Sequence, residues 1–197
     1  MSGIRFTLVV PATTKGTDMT TDTATIVERE RTDLLDTLAK HRGFLRFTVE
    51  GLSDEQAAAH PTVSALCLGG LIKHVTEVES GWLDFILNGP AAMTRNIDEW
   101  TADSIADDWK SRFQMAPKDS LAGLLEQYDE VARRTDEVVA TLPDLDHGHP
   151  LPEAPWFEKG GHWSARRVLL HVIAETAQHA GHADIIRETL DGSKTMG

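Results

Sequence analysis

The sequence predicts an all-α protein built as a four-helix bundle. Four long segments carry apolar residues at helical spacing, and no segment of comparable length alternates like a strand. Each of the four runs into helix-ending chemistry: Gly51, Asn88-Gly89-Pro90, Pro143 and Gly192 in turn. With 197 residues, 41% of them hydrophobic, the chain fits one globular domain with a real core.

The first segment, from about Asp22 to Glu50, brings Ile26, Leu34, Leu38, Leu45 and Val49 to one broad face and leaves the charged ERER run and Lys40 elsewhere. Ser53 to Gln56 (SDEQ) has capping-box spacing and predicts a short helical turn, closed by His60-Pro61. The second segment, LGGLIKHVTEVESGWLDFILNGP, places Leu71, His74, Val78, Trp82 and Phe85 on one apolar face. Trp82 therefore reads as core. A connection to about Lys118, holding Trp100 and Trp109, is longer than a tight bundle loop and points to a functional or wrapping segment.

The third segment opens with Asp119 or Ser120 as N-cap and offers Leu121, Leu125, Tyr128, Ala132, Val138 and Leu142 as its apolar set. The Pro- and Gly-rich stretch PDLDHGHPLPEAPWFEKGGHW predicts an irregular, solvated loop, including its His147, His149 and His162. Ser164 is the natural N-cap of the last helix.

Charge and cysteine content narrow the function. Nineteen basic against 31 acidic residues give a net charge of -12, which repels nucleic acid and anionic membrane surfaces. The single cysteine, Cys67, excludes an internal disulfide, fits a reducing compartment and is expected to be buried. The apolar run Phe6 to Val10 is too short for a signal-peptide core or a membrane span, so the protein is expected to be cytoplasmic. Helical patterning begins after Met19, so residues 1–18 read as a flexible N-terminal extension and 19–197 as the single domain. Dinucleotide and P-loop glycine motifs do not occur.

The chemistry concentrates in HVIAETAQHAGH, His171 to His182. At helical pitch His171, Glu175, His179 and His182 fall within an arc of about 80°. Singly, each reads as a core residue bonded to a backbone carbonyl or a neighbouring acid. Together on an inward stripe they need pairing or a metal. Spacing leaves three candidate pairs: His171 with Glu175, Glu175 with His179, or His179 with His182. A third ligand would come from another helix, where His74 is the histidine on an apolar face. Two histidines and a carboxylate hold a divalent ion with positions left open. No histidine has a glutamate three residues before it and HExxH is absent, which removes di-iron and zinc-protease templates. A protonation switch on the histidine face is a further possibility.

LGGLIKHVTEVESGW together with WSARRVLLHVIAETAQHAGHADIIRETLDG resembles the DinB-like superfamily of four-helix metal proteins. More narrowly it is similar to the actinobacterial mycothiol-dependent S-transferases and the maleylpyruvate isomerase metal-binding domain, from about Met19 to Gly192. The resemblance implies a DinB-like bundle with a long connection between the second and third long helices. It selects His74, Glu175 and His179 as ligands of one divalent ion, with Glu175 where many relatives have histidine. The ion is expected to be Zn2+, with Ni2+ or another divalent metal as alternatives.

His171 and His182 are then left to support the ligands or line the pocket. The implied chemistry is thiol S-transfer, or isomerisation with a thiol cofactor: a low-molecular-weight thiol such as mycothiol supplies the nucleophile to a small electrophile, and the protein supplies none. Trp163, Arg166 and Arg167, at the start of the last helix, are candidates to meet an anionic or sugar-bearing thiol. The alternative is a non-catalytic metal-binding stress protein or partner-binding bundle. A monomer or a homodimer is expected.

Overall fold

The structure, a computed structural model, describes residues 19–93, 110–154 and 156–195, and the side chains from residue 25 onward within these ranges. The anticipated extension (1–18), Trp100 and Trp109 lie outside the described residues. Four long helices form the body: α1 (Met19–Phe47), α3 (Leu68–Asn88), α4 (Leu121–Thr141) and α5 (Ala165–Asp191). The short α2 (Asp54–Ala58) joins the first two, and a 3-10 turn (Pro90–Met93) follows α3. α1 packs on α5 and α4, and α3 packs on the same two helices, so the four make a closed ring. The all-α expectation holds.

The caps carry the boundaries. The Ser53 hydroxyl accepts from the Gln56 amide while the Gln56 side chain accepts from the Ser53 amide, a complete capping box for α2. Ser120 and Ser164 accept from the amides of Gly123 and Arg167 and so start α4 and α5. Gly192, at φ 84°, ends α5 in the left-handed conformation that a side chain disfavours. Cys67, at the N-cap of α3, is fully buried as expected.

Three expectations change. Ile26 is 66% exposed, because it sits beyond the end of the core that begins near Leu34. On α4 the buried set is Leu121, Leu124, Tyr128, Thr135 and Val139, turned about one residue from the predicted face. Leu125 and Leu142 flank the core instead. The third change is a two-stranded antiparallel ribbon, β1 (Gly148–Pro150) with β2 (His162–Ser164), inside the predicted irregular loop. Gly148 lets the strands close: a Cβ there would lie 2.3 Å from the Trp163 carbonyl oxygen. His149 is correspondingly half-buried, with Nε2 3.2 Å from the Ile86 carbonyl oxygen and its ring on Phe85, rather than solvated.

Charged groups also enter the interior. Arg42 on α1 crosses the bundle to Glu79 on α3 and bonds Asp136 on α4, with Arg42 and Glu79 both buried. Arg31, within the ERER run, is buried too and donates to the Val139 and Leu142 carbonyls at the end of α4. Arg187 does the same for the end of α1, donating to the carbonyls of Thr48 and Glu50.

Candidate metal centre

α3 and α5 are neighbours in the ring, and the seam between them carries the site. His74 projects from α3 one turn after Gly70. Glu175 and His179 come from successive turns of α5. One ligand-capable atom from each of the three lies within 4.8 Å of the other two. Among the described residues this is the one such group of three or more histidine, cysteine or acidic side chains.

The electrostatics suit ligands. His74 is 5% exposed, and among the described residues its Nδ1 is buried with no hydrogen-bond partner. Burial, then the neighbouring His179, pushes the His74 pKa down to about 4, so its ring is neutral at physiological pH and keeps a lone pair. Glu175 is held below the ordinary carboxylate range, first by its hydrogen bond from His179 and further by the adjacent histidines. His179 Nε2 stands 3.5 Å from Glu175 Oε2. The donor set of two imidazoles and one carboxylate fits a divalent cation. The partnerless nitrogen of His74 is the further observation in favour, since a buried polar atom left unpaired is costly.

Phe113 is the neighbour that sequence reasoning missed. Its ring lies 4.1 Å from that of His74 and 5.8 Å from that of His179, centroid to centroid. The signal was present in Gly69-Gly70. A Cβ on Gly70 would fall 1.9 Å from the Phe113 carbonyl oxygen, and one on Gly69 would fall 2.2 Å from Met115 Sδ. The two glycines thus let the chain around Phe113 cross α3 at backbone contact, beside the turn that bears His74.

Of the other predicted residues, Trp163 and His171 lie toward the start of α5 from the cluster and His182 toward its end. His171 Nε2 stands 3.9 Å from Glu175 Oε1, and burial lowers its pKa. His182 Nδ1 lies 3.4 Å from His179 Nδ1. Trp163 stacks on Trp82 at 4.7 Å with the rings 13° apart, and His171 meets both edge-on. Trp82 is buried, as expected. Arg167 is exposed, with its guanidinium 4.5 Å above the Trp163 ring. Arg166 points away from the seam, its donors taken by Glu30 on α1 and Asp146. The exposed His162 belongs to the ribbon and the exposed His147 directly precedes it.

Among the described residues no helix is long and apolar enough to cross a membrane. The fold is similar to a conserved protein of Enterococcus faecalis, known from its crystal structure, with TM-score 0.58 at 11% identity over 81% of this chain and 96% of that one. No curated protein matches the sequence. The mycothiol S-transferase family model matches residues 33–192, a span that takes in the bundle from α1 to the end of α5 with the whole His74, Glu175 and His179 cluster. The chain belongs to the mycothiol S-transferase family, whose fold is the DinB-like bundle that its helices form.

Proposed function

We propose that the protein is a divalent-metal-dependent thiol S-transferase in which His74, Glu175 and His179 hold the ion, with zinc the best match to the donor set. The observation that carries this reading is the convergence of those three side chains in a chain of this family. A divalent ion bound there would stabilise the thiolate of a coordinating low-molecular-weight thiol, such as mycothiol, and so release its proton near neutral pH. A thiol activated in this way would form its sulfur–carbon bond to a small electrophile while the leaving group departed with its electron pair.

The chain's own residues set the geometry. His74 presents a neutral ring nitrogen, His179 offers a second imidazole, and Glu175 reduces the net charge of the site. His171, against the far oxygen of Glu175, restrains the carboxylate from turning, and His182 does the same for His179. Phe113 and the Trp82–Trp163 stack keep the seam apolar on both sides of the cluster. Arg167, over Trp163 at the amino end of α5, is the cation best placed to meet an anionic or polar part of the thiol. Arg166, already bound by two carboxylates, would contribute by fixing that end of the helix.

The test is turnover of the metal-loaded protein with mycothiol and a panel of small electrophiles. Thiol-dependent product formation that disappears with His74→Ala is expected. No turnover, alongside an active control transferase, would leave a metal-binding protein without catalysis.

A further inference from the structure

The outward side of α5 is unlike the rest of this acidic surface. Between Arg167 and Glu188, the exposed residues of α5 are Leu170, Ala174, Gln178, Gly181 and Ile185. None is charged, in a chain with 25% charged residues and a net charge of -12. Leu170 is 47% and Ile185 62% exposed. Steps of four, four, three and four residues set the five on one stripe.

The stripe is also symmetric about the point between Ala177 and Gln178. Leu170 and Ile185 are equidistant from that point, as are Ala174 and Gly181. At the two ends stand Arg167 and Glu188, again equidistant and of opposite charge. We propose that this face binds a second copy of the chain, with the two α5 helices antiparallel about a two-fold axis at Ala177–Gln178.

That arrangement sets Leu170 against Ile185 of the second copy, Ala174 against its Gly181, and Arg167 against its Glu188, each contact occurring twice. The small residues flanking the axis allow the helices to approach closely, and the apolar pairs sit between the axis and the charged ends. Ile26 of α1, which shares a groove with Leu170 and Ile173, widens the apolar area at one end. Among the described residues the Glu188 carboxylate contacts Lys194 at 3.2 Å in an exposed pair, so it is accessible to Arg167 of the second copy. A carboxylate-rich molecule repels itself over most of its surface, whereas the five stripe residues carry no charge; the groove beside Leu170 is lined by Arg29 together with Glu30 and Asp33. On the helix His171 and His182 border the stripe, so the second copy would wall one side of the seam that holds the metal cluster.

The test is sedimentation of the full chain over a micromolar concentration series. The wild type is expected at twice the chain mass. Ile185→Glu should weaken association by about tenfold or more, since it buries an unpaired charge on each side of the axis. Arg167→Glu and Glu188→Arg should each weaken it through like-charge contacts, and the double exchange Arg167→Glu/Glu188→Arg should restore it. Unchanged helical circular dichroism checks that each variant folds. A monomeric wild type, a dimer indifferent to Ile185→Glu, or a double exchange no tighter than the single reversals would overturn the proposal.

Discussion

His74 of α3 and His179 of α5 lie with ring centroids 4.8 Å apart and planes crossed at 78°, although they are far apart in the sequence. Only the closed ring of helices joins them. Their separation is therefore a direct gauge of bundle packing, and both rings rest against Phe113.

The pH dependence of the metal-free protein follows from His74. Its pKa in the fold is about 4, below the ordinary 6.5, so between these values the unfolded chain binds a proton that the folded chain does not. Stability is then greatest above about pH 6.5, falls as the pH drops toward 4, and stops falling on this account below that. The lowered pKa of His171 acts in the same direction. Urea midpoints of chelator-treated protein at neutral pH and near pH 4.5 should show the loss, and His74→Phe should reduce it. Equal midpoints would contradict the burial assigned to His74.

Two glycines of one helix should respond in opposite senses to alanine. Gly70→Ala drives a Cβ into the Phe113 backbone and should cost about 1–3 kcal/mol while loosening the packing on His74. Gly81→Ala meets nothing within 4 Å among the described residues and should stabilise α3 by about 0.5–1 kcal/mol. Denaturant unfolding of both variants checks the pair.

Glu79→Ala should be severe. Arg42 would keep its exposed-side partner Asp136 but lose the buried carboxylate that lies against it, leaving a guanidinium desolvated in the bundle. Removing one partner of such a pair costs about 3–5 kcal/mol, readable from chemical denaturation. A loss under 1 kcal/mol, the order expected for an exposed ion pair, would show that water reaches Arg42.

The helix ends were legible because they depend on local chemistry: the capping box at Ser53 and Gln56, the serines that open α4 and α5, and Gly192. The face of α4 was less so. An apolar period leaves the phase uncertain by about one residue, and Thr135 occupies a core position that apolar counting assigns to a hydrophobe. Arg31, set among the charged ERER run, gave no sign of burial because its compensation comes from α4, and the buried pair Arg42 and Glu79 is likewise made between α1 and α3, far apart in sequence. At the candidate site, the four groups of α5 were readable as one stripe, yet spacing left three ligand pairs open. The choice of Glu175 with His179 came from family resemblance. Phe113 escaped because its place is set by a backbone crossing at Gly70, which no local period encodes.

The central claim is that His74, Glu175 and His179 hold a metal ion. Its most direct test is the metal content, by elemental analysis, of purified untagged protein beside Glu175→Ala and His171→Ala variants. The account predicts near-stoichiometric divalent metal in the wild type, its loss in Glu175→Ala, and its retention in His171→Ala. Metal absent from all three, with no uptake on adding zinc, would contradict it and leave the clustered face as a hydrogen-bonded feature of the core.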